Sequence, residues 1–319
     1  MNQPLISIVL PTYNGSKFIR TSLDSCLAQT FTDFELIIVN DCSTDNTAAI
    51  IEEYAARDSR IKVIHNVSNK KLPLSLNTGF DIAKGKYHTW TSDDNYYTPN
   101  ALQVLFEILE KNENTGFVYT DYNIIDDEGN VTGKRTFGDI NQNFTNFQGC
   151  SACFLYKAEI YDLNKGYNPS AFLIEDYDFF VRAFLQAPVL YINRYDLYFY
   201  REHASSLTAT HGDAVNDIAK IMMERQLPRL EQKLPVNQMA LLYRKFAVFN
   251  AVQKNNSFKY KLYLEKLWKV SKKQAAITVL YVPVLKLWKT FYVSVKGILT
   301  FMQLIFRGSK DKNLQATER

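Results

Sequence analysis

The chain has 319 residues, 46% hydrophobic and 22% charged, the balance of an ordinary folded protein, which excludes wholesale disorder, collagen and coiled coil. Its length predicts one large α/β domain, or one domain with an appendage. A net charge of +4 conceals an asymmetry: residues 1–219 hold 17 Lys and Arg against 28 Asp and Glu, and residues 220–319 hold 20 against 5. An acidic body with a basic tail suits an anionic surface, and the acidic body argues against nucleic acid as partner. Four cysteines, Cys26, Cys42, Cys150 and Cys153, are too few to staple such a chain. With no basic n-region or apolar h-region after Met1, the expectation is a chain without a secretory signal in a reducing cytosol.

Leu5-Ile6-Ser7-Ile8-Val9-Leu10 is an apolar run stopped by Pro11 and reads as a buried strand. An amphipathic stretch from about Ser16 to Gln29 follows, then the β-rich Phe34–Val39. Asp45 opens a predicted helix through Ala56. Ile61–Ile64 is a third strand, Leu74–Ala83 a helix, Tyr87–Thr91 a fourth strand, and Asn100–Leu109 another helix. This alternation predicts βαβ units and a largely parallel sheet, with ligands beyond the carboxyl ends of its strands. The segments that matter are then 11–15, 40–46 and 91–95. Further on, Phe117-Val118-Tyr119 and the turn-like Asp126–Asn130 suggest a hairpin. Residues 133–149 lack periodicity and read as a loop that could cover a site. A helix is expected over Glu175–Gln186, a strand over Tyr191–Tyr200, and basic helical signals beyond residue 212.

Asp93 and Asp94 follow the fourth strand. Adjacent carboxylates repel, and such a pair is either a solvated turn or a site for a hard divalent ion, Mg²⁺ or Mn²⁺, with phosphate oxygens. Asp41 follows the second strand, placed to accept from a base or ribose, or simply to shape a turn. Pro11-Thr12-Tyr13-Asn14-Gly15 offers backbone donors and one aromatic face. It lacks Gly-x-Gly-x-x-Gly spacing, and no Gly-x-x-x-x-Gly-Lys occurs, which disfavours Rossmann dinucleotide binding and P-loop chemistry. Glu175-Asp176-Tyr177-Asp178 opens a helix, where the helix dipole alone would favour acids. Cys150-Ser151-Ala152-Cys153 has no second Cys pair for zinc and reads as small residues lining a strand.

Taken together, Ile8-Val9-Leu10-Pro11-Thr12-Tyr13-Asn14, Ile38-Val39-Asn40-Asp41-Cys42-Ser43-Thr44-Asp45, Asn77-Thr78-Gly79 with Ala83–Tyr87, and Ser92-Asp93-Asp94 resemble, in order and spacing, the family 2 glycosyltransferases. The resemblance covers residue 5 to about residue 208. It implies an α/β GT-A fold, a Rossmann-like mostly parallel sheet flanked by helices, followed here by a helical, basic C-terminal region. It also implies an inverting enzyme that uses a nucleotide-diphosphate sugar, UDP-linked by expectation, with a glycan or lipid-linked acceptor. Under it, Pro11, Thr12, Tyr13, Asp41, Lys71, Asn77 and Asp93 contact the nucleotide, and Arg201 meets the pyrophosphate. Asp94 and His203 hold a divalent metal, and Asp176, with Glu175 second, is the catalytic base. One departure is that Thr91 and Ser92 stand where many members carry a further Asp. The domains expected are 1–212, catalytic, with a nucleotide-sugar half over 1–115 and an acceptor half over 116–212, and a basic helical region over 213–319. The alternatives are a non-catalytic nucleotide-sugar or polysaccharide-binding protein and, more distantly, a nucleotidyltransferase.

In the tail, a helix is expected over Val284–Phe306. On a helical wheel Lys286, Lys289, Lys296, Thr300, Gln303 and Arg307 fall within roughly one third of the circumference. Trp288, Phe291, Phe306 and other apolar residues fill the rest. Lysines make a lone spanning helix costly, and the pattern is that of an interfacial helix, with a core helix as the alternative. Residues 254–310 are thus expected to meet an anionic membrane surface, as a peripheral association on the cytoplasmic side.

Overall fold

The computed structural model describes residues 3–147, 152–204 and 206–291. The chain divides into two units, Met1–Lys233 and Leu234–Arg319. A helix, Leu207–Arg225, runs across residue 212.

In the first unit the order is β1 (Ile6–Thr12), α1 (Ile19–Leu27), β2 (Phe34–Asn40), α2 (Thr47–Ala55), β3 (Ile61–His65), α3 (Leu72–Phe80) and β4 (Tyr87–Trp90). Then come β5 (Tyr96–Tyr97), α4 (Ala101–Lys111), β6 (Phe117–Thr120), β7 (Tyr122–Ile125), β8 (Val131–Arg135) and α5 (Ile140–Asn143). The unit ends with β9 (Phe154–Lys157), α6 (Glu159–Asn164), α7 (Glu175–Gln186), β10 (Val189–Ile192), β11 (Tyr198–Arg201), α8 (Leu207–Arg225) and α9 (Leu227–Lys233).

Every residue of β1 and β2 is buried, as continuous apolar runs require in a parallel sheet covered on both faces. The large sheet has the order β10-β6-β9-β4-β1-β2-β3, and β9 alone runs antiparallel to its neighbours. From β1 the chain moves outward to β2 and β3, then returns on the other side as β4. The ends of β1 and β4 therefore flank a topological switch point, where open α/β sheets bind ligands. Pro11 fits this place. Val9 accepts from the Thr91 amide at 3.0 Å, so Pro11, on the same side of β1 two residues later, lies beyond the end of β4. Its missing N–H leaves no ladder bond unmade.

A second sheet, β5-β11-β7-β8, adjoins that crevice. β5 pairs antiparallel with β11, Tyr97 opposite Tyr198 and Tyr96 opposite Phe199. Continued, this register sets Arg201 opposite Asp94.

Several sequence expectations change. The hairpin is β7 with β8, while Phe117–Tyr119 belongs to β6 in the large sheet. Residues 133–147 are no open loop. They complete β8, form α5 and bury Ile140, Phe144 and Phe147, with Phe144 stacked on Phe184 of α7 at 5.3 Å. Residues 148–149, Cys150 and Ser151 lie outside the described residues. The single strand expected over 191–200 is two strands, β10 and β11, in different sheets. Cys153 is fully buried just before β9, and burial pushes its thiol up to about 12, so it serves as a small apolar residue.

The second unit contains α10 (Val236–Val248), a π turn (Phe249–Gln253) and α11 (Ser257–Val270). A further helix, α12, covers residues 272–291. It begins before the expected residue 284 and runs through Pro283; residues 292–306 lie outside the described residues. Leu242, Phe246, Tyr263 and Leu267 are buried with Ala275, Thr278 and Val282 of α12.

Helix α3 packs against the sheet through Gly79, where a Cβ would lie 2.5 Å from Val9 Cγ1 and 3.2 Å from Val39 Cγ2. Gly79→Ala should therefore destabilise the first unit by about 1–3 kcal/mol through overpacking, despite alanine's better helix propensity. Urea denaturation measures this, and a stability unchanged or increased would contradict the close packing.

Candidate active site

The first strand leads into Thr12 and Tyr13, the second into Asp41, the third into Asn66, the fourth into Asp93 and Asp94, and β11 into Arg201 and His203. Thr12 donates its hydroxyl to Asp93 Oδ2. Gly15 closes over the same oxygen, where a Cβ would stand 2.0 Å away, so glycine alone permits the approach. Asn14 and Cys42 take left-handed φ of 56° and 65°, and their loops are tied together. The Asn14 amide donates to Ser43 Oγ at 2.9 Å, and the Thr44 amide to Asn14 Oδ1 at 2.8 Å. Tyr13 projects from this joint with 52% of its surface exposed, a ring face open to a planar ligand.

Asp41 is buried. Its Oδ1 accepts from Asn66 Nδ2 and the Lys70 amide, both at 2.8 Å, and its Oδ2 from the Lys71 amide at 2.9 Å. A carboxylate has about four lone-pair sites, so Oδ2 keeps one for a further donor. Lys71, with φ of 70°, carries its ammonium 5.9 Å from the Phe172 ring, which links the Asp41 turn to the segment before α7.

Burial, reinforced by the charge of Asp94, pushes Asp93 up to about 7. Asp94 Oδ2 stands 3.0 Å from His203 Nε2. That hydrogen bond holds His203 above the ordinary imidazole range, against the opposing effect of burial. Arg201 is 4% exposed. Its Nε donates to the Asp94 carbonyl at 3.0 Å and its Nη1 to the Asp126 and Asp127 carbonyls at 2.6 and 2.8 Å. Its amide donates to Asn95 Oδ1 at 2.7 Å. The guanidinium thus joins the β7–β8 turn to the Asp94 turn, and two of its nitrogens are already engaged.

At the start of α7, Glu175 is 6% exposed and its Oε2 has no hydrogen-bond partner. Burial, then the charge of Asp176, raises Glu175 to about 8. Burial alone raises Asp176 to about 6, against the amide bond that its Oδ1 accepts from Tyr177 at 2.6 Å. The preceding Leu173 holds φ of 78°, a costly conformation for a branched side chain. Two adjacent carboxyls with separated proton affinities can carry one proton and one charge near neutrality. Asp178 is instead paired with Arg182 at 2.7 Å.

The structure brings Thr12 to Asp93, and Asp94 to both Arg201 and His203. It engages Asn77 elsewhere: Asn77 Nδ2 donates to the Tyr167 carbonyl at 2.8 Å, and Oδ1 accepts the Tyr167 amide at 2.7 Å. Asn77 therefore clamps α3 to the segment before α7. Sequence reasoning missed Phe18, which lies 4.4 Å from the Arg201 guanidinium and 5.5 Å from the His203 ring. It also missed Asn66, although Asn66 follows a strand as Asp41 does, and that position was a usable signal. Among the described residues no three His, Cys, Asp or Glu gather as a metal centre. Asp94 and His203 supply a pair, one oxygen and one imidazole nitrogen, beside the buried Asp93, a donor set that suits Mn²⁺.

Comparisons with known proteins bear on the family and the fold. The family model "Glycosyl transferase family 2" matches residues 7–168. Chondroitin synthase of Escherichia coli is 31% identical over 193 residues, 60% of this chain and 28% of that protein. The uncharacterized glycosyltransferase EpsJ of Bacillus subtilis (strain 168) is 33% identical over 218 residues, 64% of this chain and 63% of that protein. The chain thus spans less than two thirds of either relative. Among solved structures, S. aureus TarS 1–349 in complex with UDP superposes with a TM-score of 0.60 at 19% identity, over 80% of this chain and 74% of that one. The mannosyltransferase PcManGT from Pyrobaculum calidifontis, in complex with GDP-Man and Mn²⁺, gives 0.57 at 15% identity, over 92% and 83%. Those two likenesses establish the GT-A-like fold, and the family match, over half of the chain, establishes more: this chain belongs to glycosyl transferase family 2.

Proposed function

We propose that the chain is an inverting glycosyltransferase that moves a sugar from a nucleotide-diphosphate donor, a UDP-sugar, to a hydroxyl of a glycan or lipid-linked acceptor. The reaction serves cell-surface polysaccharide or glycolipid synthesis at the cytoplasmic side of the membrane. The observation that carries this reading is the meeting of Asp94 with His203 at 3.0 Å beside the crevice between β1 and β4. The solved neighbours in complex with UDP, and with GDP-Man and Mn²⁺, support a nucleotide donor and a metal of this kind.

In this reading the base lies against the Tyr13 ring, and the remaining lone pair of Asp41 accepts from its edge. Asp93, held by Thr12, serves the ribose. Asp94 and His203 hold the divalent cation, whose charge, when bound, stabilises the leaving diphosphate. Pro11 lies beyond the end of β4, at the rim of the crevice, and the Lys71 amide holds Asp41 in place. Arg201 keeps the Asp94 turn in place and offers its remaining nitrogen to the pyrophosphate.

Asp176 removes the proton from the acceptor hydroxyl as that oxygen bonds to the anomeric carbon. The bond from that carbon to the diphosphate breaks, and its electron pair leaves with the nucleotide, so configuration inverts. Glu175 stays protonated at neutral pH because a second charge beside Asp176 in a buried position is unfavourable. The rival, a binding protein with a degenerate pocket, gives no reason to leave a buried Glu175 oxygen without a hydrogen-bond partner next to Asp176 and a left-handed Leu173.

Two predictions follow from these assignments. Asp176→Asn should keep UDP affinity while UDP release from a panel of UDP-sugars, with water or added glycans as acceptor, is lost. The wild-type kcat/KM should fall as pH drops through about 6, where Asp176 takes up its proton. Glu175→Gln should keep that acid limb, since the amide mimics the protonated state. A dead Glu175→Gln beside an active Asp176→Asn would transfer the role to Glu175.

For the metal pair, Asp94→Asn should lower turnover about 100-fold or more in saturating Mn²⁺, and His203→Ala should raise the Mn²⁺ concentration needed for half-maximal rate by about 10–100-fold. Unchanged Mn²⁺ dependence in both variants would remove the metal assignment.

A further inference from the structure

The second unit carries a feature that glycosyl transfer does not use. Along α12, Ile277, Leu280, Tyr281, Val284, Leu287, Trp288 and Phe291 recur at the three- and four-residue steps of one helix face. All are exposed, from 38% at Ile277 to 75% at Leu280. The opposite face, with Ala275 at 0%, Thr278 at 0% and Val282 at 4%, is the one that packs inward. Lys286 Nζ reaches Asn255 Oδ1 at 3.5 Å and Lys289 Nζ the Val252 carbonyl at 2.9 Å, so both turn back toward the π turn. The apolar stripe, and not the lysine stripe, is what α12 presents outward.

Such a stripe on a monomeric surface marks an interaction site. Charge selects the occupant. Residues 234–291 hold eleven Lys and Arg and a single acid, Glu265. Lys261, Lys269, Lys272 and Lys273 are exposed on α11 and at the start of α12. A second copy seated on the stripe would bring two strongly basic units together. An anionic lipid surface would instead meet apolar and basic groups at once. Tyr281 and Trp288 are amphipathic rings suited to the headgroup level. From Ile277 to Phe291 the stripe is about 21 Å long at 1.5 Å per residue. No helix among the described residues is long and apolar enough to cross a membrane.

We propose that α12 docks the protein on anionic membrane, with the Ile277–Phe291 stripe inserted among the acyl chains and the lysines of α11 and the start of α12 over the headgroups. Vesicle binding needs neither donor nor acceptor, so this proposal stands or fails separately from the transferase reading.

The test is co-sedimentation of the full chain with mixed phosphatidylcholine–phosphatidylglycerol vesicles and with pure phosphatidylcholine vesicles. Binding to the anionic vesicles alone is expected, falling only partly in high salt because the apolar share is not screened. Leu280→Gln and Leu287→Gln, both at exposed positions, should each weaken it about tenfold with Tm and circular dichroism unchanged. Trp288 fluorescence should shift to the blue and be quenched by brominated acyl chains. Equal binding by wild type and both variants would overturn the proposal, as would equal binding to both vesicle types. Concentration-dependent dimerisation without lipid, abolished by the same substitutions, would also overturn it in favour of a second copy.

Discussion

Two carboxylates, Asp93 and Asp94, sit side by side at the end of a buried strand, and the rest of the site is arranged around their repulsion. Each is answered from a different direction. Thr12, reached across the β1–β4 pairing, donates to Asp93, and His203, from beyond β11, meets Asp94. Burial, then the charge of Asp94, raises Asp93 to about 7. Adjacent carboxyls held at such a place are complementary to a cation, and through that cation to a diphosphate.

The geometry depends on two sheets meeting at one turn. The large sheet places Asp93 and Asp94 at its switch point. The small sheet then returns to that turn through β5, Tyr97 opposite Tyr198, so its register carries Arg201 to the Asp94 carbonyl. Arg201 also holds the Asp126–Asp127 turn and lies over Phe18, which makes it the joint between three segments. The acid pair of α7 is positioned separately. Asn77 clamps Tyr167, and Lys71 reaches Phe172, so α3, entered through the Lys70 and Lys71 amides that donate to Asp41, also steadies the approach to Glu175 and Asp176. Donor-side and acceptor-side residues of the proposed reaction thus share one helix as their support.

Much of this was legible in the sequence. β1 and β2 are largely apolar runs buried throughout, and β3 and β4 are short β-rich segments between helical stretches, so the alternation of strand and helix could be read from the residues. Helix α7 was legible because acids at its start and aromatics at helical spacing agree. The small sheet was not, since β5 has two residues and its pairing with β11 spans about a hundred positions of sequence. No local pattern announces that Arg201 will face Asp94, or that the Asn77 amide will turn to Tyr167. The wheel of α12 separated lysines from apolar residues correctly, but periodicity states only which residues share a face. Which face turns inward was decided by the packing of Ala275, Thr278 and Val282, and that choice left the apolar stripe outside.

The claim on which the functional account rests is that the β1–β4 crevice binds a nucleoside diphosphate through a cation at Asp94 and His203. Calorimetric titration of the full chain with UDP, in the presence and absence of Mn²⁺, addresses it without knowledge of sugar or acceptor. The account predicts UDP binding that tightens by about tenfold or more with Mn²⁺, a gain of about 1.4 kcal/mol or more. UDP affinity identical with and without the metal, or no binding in either case, would contradict it.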